Sequence, residues 1–175
     1  MSSSKPKIYL DTNILVYHLM GKPQKLAQQS GRLLLDIEKG RYTGTITTWT
    51  RTEFLGVIKT LLAQSNNRNP STDEMLRAEK MLTDLISELG LELQDADVLA
   101  SQAGQTRLFA ESDKILRNSS AVQRTDGKWT AIKGADSIHC VLAQRSGAQE
   151  LATFDEDFRG ISIQGVRTLI VRERY

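Results

Sequence analysis

A single cysteine, Cys140, excludes an intramolecular disulfide, and with only two histidines far apart, His18 and His139, the chain cannot assemble the ligand spacings of structural zinc. No stretch approaches the roughly 18 consecutive apolar residues of a membrane span, and the polar segment from Met1 to Lys7 lacks the apolar core of a secretory signal. These absences predict a protein with no membrane partner, not exported, in a reducing cytoplasmic setting. Glycine and proline are few, at 12 and 3 residues, which argues against collagen-like, low-complexity and disordered chains. Excess charge of either sign is also missing. The net value is +2 with no charged block or tail, too slight by itself to announce a nucleic-acid partner.

What is present is a core's worth of apolar residues, 39% of 175, read as one domain over residues 1–175. Strand-like and helical segments alternate, the order of an α/β domain on a parallel sheet. A strand at Lys7–Leu10 precedes the turn Asp11-Thr12-Asn13 and a short helix from Ile14. Leu26, Leu33, Leu34 and Ile37 recur at helical spacing before Gly40. Thr43 to Thr48 reads as a strand, and Phe54, Val57, Ile58, Leu61 and Leu62 as one face of a helix. Ser71-x-x-Glu74 is a capping box opening a helix that runs to Gly90, with a short strand at Leu91–Leu93 after it. From Asp95 to Leu116 the pattern is helical, with Val98, Leu99, Ala103, Phe109, Ala110 and Leu116 on a broad face and a break near Gly104. Asp126-Gly127 sits between apolar runs and predicts a small hairpin within 118–133. A helix from Ala135 to Arg145, a strand at Glu150–Phe154 and a last strand at Val166–Val171 complete the chain.

In an open parallel sheet, ligands bind beyond the carboxyl ends of the strands. Four acids fall there: Asp11 after the first strand, Glu53 in the helix after the second, Asp136 at the start of its helix, and Asp155 after Leu151-Ala152-Thr153-Phe154. Carboxylates packed together repel and persist mainly when a cation neutralises them. An all-oxygen set suits Mg²⁺ or Mn²⁺, and Mg²⁺ keeps waters and takes a substrate phosphate, which fits a phosphodiester. Committing these four acids to a cation raises the remaining protein charge from +2 to +6, which favours a polyanionic partner.

The motifs Tyr9-Leu10-Asp11-Thr12-Asn13-Ile14-Leu15, Glu53, Gly134-Ala135-Asp136-Ser137-Ile138-His139 and Leu151-Ala152-Thr153-Phe154-Asp155-Glu156-Asp157-Phe158, in this order, resemble the PIN-domain ribonucleases. Many of those are toxins of type II toxin and antitoxin pairs, and the resemblance runs from about Ile8 to Val171. It implies a three-layer α/β/α fold with a central, mainly parallel sheet and a metal-dependent endoribonuclease that leaves a 5′-phosphate and a 3′-hydroxyl. It further implies that Asp11, Glu53, Asp136 and Asp155 hold Mg²⁺ or Mn²⁺, with Asp157 as a fifth acid and Thr12, Asn13 and Thr153 in support. A homodimer, an RNA substrate and a small antitoxin protein belong to the same implication. The segment 118–133 is longer than the link expected before the Asp136 helix, which would alter substrate access.

Each acid also has a structural reading. Thr50-x-x-Glu53 is a second capping box, Asp136 suits a helix N-terminus, and Asp11 and Asp155 suit Asx-turns. On that reading the chain is a catalytically inactive binding module for RNA or protein. A phosphatase of the haloacid dehalogenase kind is disfavoured because Asn13 stands where that family needs its second Asp. Arg51, Lys133 and Arg159 lie near the acidic motifs and are read as RNA contacts. His139, one turn beyond Asp136, is read as dispensable to a metal-assisted hydrolysis, Cys140 as a small core residue, Trp49 as core, and Trp129 as either core or a base-stacking surface.

Overall fold

Alternation along the strands sorts the core into two layers. In the computed structural model, which describes residues 5–101 and 107–175, the first half of the chain runs β1 (Lys7–Leu10), α1 (Thr12–Met20), α2 (Gln24–Glu38), β2 (Thr43–Thr47), α3 (Thr48–Asn66), α4 (Thr72–Leu89) and β3 (Glu92–Gln94). The second half runs α5 (Ala96–Ala100), α6 (Leu108–Asn118), β4 (Val122–Gln123), β5 (Trp129–Thr130), α7 (Gly134–Arg145), β6 (Glu150–Thr153), a 3₁₀ turn at Glu156–Gly160, β7 (Arg167–Ile170) and α8 (Val171–Arg174). Ile8, Leu10 and Ala152 face a cluster built with α1 to α4. Tyr9 and Leu151 face one built with α7 and its neighbours. A side-chain period of two requires this division. Arg145, buried on α7, donates to the carbonyls of Leu99 and Ala100 and to Glu111, which ties α5 and α6 to the second layer.

Five strands pair in the order β3-β2-β1-β6-β7, all parallel, with β1 in the middle. The chain builds outward from β1 in one direction through β2 and β3 and in the other through β6 and β7. The order therefore reverses between β1 and β6, where a crevice opens at the strand ends. Leu10 pairs with Ala152, so the residues that follow, Asp11 and Thr153, emerge side by side. No described helix is long and apolar enough to cross a membrane.

The three-layer α/β/α expectation holds, with local corrections. The expected capping box at Thr50 and Glu53 sits one turn earlier. Thr47 caps α3, and Thr47 and Thr50 exchange backbone-to-hydroxyl bonds of 3.4 Å. This ends β2 at Thr47 and leaves Glu53 free of any capping duty. The box at Ser71 and Glu74 forms as expected. Of the face expected over 95–116, which falls on the two helices α5 and α6, Leu99 and Leu116 pack in the second cluster, whereas Val98 and Phe109 stand 63% and 70% exposed. Ala103 and Gly104 lie outside the described residues. The hairpin over 118–133 forms as β4 and β5, with Gly127 at φ +82° in its turn, a conformation a side chain would strain. After β7 the chain adds one turn of helix, α8, that the pattern did not suggest.

Candidate active site

Asp11 occupies the N-cap position of α1, yet its side chain makes no cap. Its Oδ2 accepts instead from Asn13 Nδ2 at 2.7 Å and from the Thr153 hydroxyl at 2.5 Å. The Thr153 oxygen accepts in turn from the Asp155 amide at 3.0 Å and from Asn13 Nδ2 at 3.1 Å, while Asn13 Oδ1 accepts from the Phe154 amide. One hydroxyl and one amide thus tie the end of β1 to the end of β6 and fix the carboxylate between them. Burial pushes the Asp11 pKa up, Glu53 adds to the push, and the nearby His139 and the Thr153 bond only partly oppose it.

Glu53 reaches the same crevice from α3. Its Oε2 accepts from the Thr12 hydroxyl and from His139 Nε2, the latter at 2.7 Å. His139 is fully buried on α7, with its Nδ1 2.9 Å from the Tyr9 hydroxyl, which lies within 3.1 Å of Thr47 and Thr50. Burial alone would strip the proton from this imidazole. Tyr9, Glu53 and Asp11 outweigh burial and hold its pKa well above the ordinary value. The rise favours the charged imidazole, whose two ring nitrogens each meet an oxygen, Nε2 at Glu53 and Nδ1 at Tyr9. Burial also acts to raise Glu53, but the bond and charge of His139, with Thr12, bring it below the usual glutamate range.

Asp136, Asp155 and Asp157 form a second group of acids. Each of the two groups, Asp11-Glu53-His139 and Asp136-Asp155-Asp157, has its ligand-type atoms within 4.8 Å of one another. Asp136 does cap α7, accepting from the Lys133 amide at 3.2 Å, and Asp155 does make an Asx-turn, accepting from the Asp157 amide at 3.0 Å. These structural roles coexist with placement in the crevice. Burial pushes the Asp136 pKa up to about 6, with Asp11 and Asp155 adding to the rise. Burial and the adjacent Asp157 raise Asp155 as well.

The two groups differ in how their charge is met. The first contains a basic group, His139, with Nε2 2.7 Å from Glu53 and 3.7 Å from Asp11. In the second, Asp157 is 1% exposed and neither of its carboxylate oxygens has a hydrogen-bond partner. The cations paired with it, Lys133 Nζ at 3.8 Å and Arg124 Nη1 at 3.9 Å, stand beyond hydrogen-bond reach. A buried carboxylate without donors is costly, and coordination is the usual remedy. An all-oxygen set of raised, mutually repelling acids with one orphaned member fits a hard divalent cation.

The three cationic residues expected at RNA are differently placed. Arg51 pairs with Glu79 across α3 and α4, and Arg159 pairs with Glu173 and with Glu156. Lys133, with a side chain 74% exposed, stands at the start of α7 beside the acids. Trp49 is partly buried against the second core layer and Trp129 is 71% exposed. Sequence reasoning missed the Tyr9–His139–Glu53 relay. The available signal was helical spacing, since His139 follows Asp136 by three residues and shares its side of α7.

A family model described as the PIN domain matches residues 8–163. Among solved structures, the chain is similar to VapBC2 from Rickettsia felis, solved bound to a DNA fragment from their promoter. That match has TM-score 0.56 and 16% identity, covering 93% of this chain and 98% of that one. It is also similar to VapC20 of Mycobacterium tuberculosis, described as a sarcin-ricin loop cleaving toxin, with TM-score 0.53 and 16% identity over 92% and 99% of the two chains. At that identity the two likenesses speak for the fold alone. No curated protein matches the sequence.

Proposed function

This chain belongs to the PIN-domain family, and from that premise we propose that it is a metal-dependent endoribonuclease, acting as the toxin of a pair with a small antitoxin protein and as a homodimer. The observation that carries the catalytic part is the buried carboxylate of Asp157, without a hydrogen-bond donor, beside Asp136 and Asp155. Asp11, Glu53, Asp136, Asp155 and Asp157 would hold one or two Mg²⁺ or Mn²⁺ ions. Such an ion supplies neutralising charge at the phosphate and lowers the pKa of a coordinated water.

The rest of the work falls to the chain's own groups. Thr153 and Asn13 hold the Asp11 carboxylate in one orientation, which removes the cost of ordering it when substrate arrives. Thr12 and His139 occupy Oε2 of Glu53, so Oε1 is the oxygen left to face the crevice. The His139 ring is held between Glu53 and Tyr9, and its role is to fix the Glu53 carboxylate in the crevice. RNA is the substrate class, with a 5′-phosphate and a 3′-hydroxyl as the new ends; of the three cations read from the sequence as RNA contacts, Lys133 stands beside the acids, and Arg51 and Arg159 are paired with Glu79 and Glu173.

Incubating the purified protein with a mixed cellular RNA pool in Mg²⁺, Mn²⁺ or EDTA tests this reading. Fragments in metal and intact RNA in EDTA are expected. RNA left intact in every condition overturns it.

A further inference from the structure

Arg124, next to β4, and Arg172, on α8, come from distant parts of the chain and meet at one cavity. It measures about 130 Å³ and is lined by Asn13, Tyr17, Arg124, Phe154, Asp155 and Arg172. Asp155 and Asn13 are shared with the acid crevice, so the cavity opens directly beside it. A volume of this size takes a phosphate group with a few waters, at roughly 30 Å³ per water.

Both guanidiniums have carboxylates at ion-pair range and none at hydrogen-bond range. The Arg124 Nε is buried without a hydrogen-bond partner. The ion-pair contacts of this side chain, Asp157 at 3.9 Å and Asp126 at 4.0 Å, are too long for hydrogen bonds. Arg172 stands 3.7 Å from Glu156. Among the described residues, neither side chain donates a hydrogen bond. A guanidinium carries five donors in a planar fork that matches phosphate oxygens, and two such forks at one cavity make a phosphate site rather than a carboxylate clamp.

The hairpin that carries Arg124 is fastened down. Thr125 donates its amide and its hydroxyl to the two carboxylate oxygens of Glu156, each at 2.9 Å, and the Ser120 amide donates to the Gly160 carbonyl at 3.1 Å. Glu156 itself is only 2% exposed. At Gly160 an added Cβ would lie 2.1 Å from the Ser120 carbonyl oxygen, so the close seat of the hairpin depends on that glycine. Trp129 pairs with Gln123, one residue out of step with Arg124, and so lies on the other face of the hairpin, away from the cavity.

We propose that Arg124 and Arg172 form a subsite for an RNA backbone phosphate flanking the cut, with the β4–β5 hairpin as the arm that delivers Arg124. This inference rests on the ribonuclease reading above. It gives the extra length of segment 118–133 a task, which is to hold the strand beside the acids.

The test is binding of a short fluorescein-labelled single-stranded RNA of mixed sequence, in EDTA so that nothing is cut, across a salt series. Wild type is compared with Arg124→Gln, Arg172→Gln and Arg124→Lys, each checked for folding by circular dichroism. Each Gln variant is expected to bind about tenfold more weakly and to flatten the salt slope by about 0.7. Arg124→Lys should keep the slope and recover only part of the affinity, since it keeps the charge without the fork. Wild type that binds while the folded Gln variants match it in affinity and slope overturns the subsite and leaves the nuclease reading standing. A Gln variant that matches wild type in RNA binding, and differs only in the Tm shift Mn²⁺ produces in a separate melt without EDTA, also overturns it, because Arg124 would then serve Asp157 alone. Wild type that binds no RNA and cuts none overturns both.

Discussion

The Nε2 of His139 lies 2.7 Å from Oε2 of Glu53, although 86 residues separate them in the chain. That contact gives one half of an acidic crevice a basic partner from within, while in the other half the cations paired with Asp157, Lys133 and Arg124, stand beyond hydrogen-bond reach.

Removing the imidazole should be costly. His139 is fully buried and holds both Tyr9 and Glu53. His139→Ala leaves two polar groups short of a partner and is expected to lose about 2–4 kcal/mol in urea unfolding. His139→Gln, which keeps a donor, should recover part of that. The raised His139 pKa means this contribution is fully present below pH ~6.5 and is lost only as pH rises through the folded value. A variant as stable as wild type at pH 7 contradicts the assignment.

Where His139 stabilises the fold, the ionised Asp136 destabilises it. Its pKa is pushed up to about 6, so between the ordinary aspartate value and 6 the folded state binds more protons than the unfolded one, and stability falls as pH rises through that window. In EDTA at pH 7, Asp136→Asn should therefore unfold later than wild type. After discounting for the solvent that reaches this half-buried group, the gain is about 1 kcal/mol. Mn²⁺ should raise the wild-type Tm and move the variant much less. Equal Mn²⁺ shifts in both proteins would contradict a role for Asp136 in holding metal.

Gly160→Ala should unseat the hairpin, because the added methyl meets a backbone carbonyl at 2.1 Å rather than a yielding side chain. Stability is expected to drop by about 2 kcal/mol, and amide exchange should speed up at Val122 and Gln123. Unchanged protection there would mean that the hairpin is held by something other than its contact with Gly160.

Lys133→Ala removes an exposed cation at the start of α7. RNA affinity should fall and the salt slope flatten by about 0.7, with little change in stability. No change in either quantity removes Lys133 from the RNA surface.

The strand ends were readable because each acid follows an apolar run directly. Asp11 after Ile8-Tyr9-Leu10 and Asp155 after Leu151-Ala152-Thr153-Phe154 need only the rule that strand ends line the crevice. The Ser71 box was equally local. Around α3, threonines at 45, 47, 48, 50 and 52 offered several caps, and spacing alone could not choose among them. The relay of Tyr9, Glu53 and His139 and the meeting of Arg124 with Arg172 depend on contacts between distant segments, which no periodicity encodes. The exposure of Val98 and Phe109 has the same origin, since spacing marks a helical face but not which of its residues meet the second core layer.

The most direct measurement is cleavage of a mixed RNA pool by wild type, Asp136→Asn and Asp157→Asn side by side, with Mn²⁺ or EDTA, on proteins shown to be folded. The account predicts metal-dependent cutting by wild type, new 5′-phosphate ends, and loss of cutting in both variants. Cutting that survives in folded Asp157→Asn and Asp136→Asn, or that proceeds in EDTA, would contradict it.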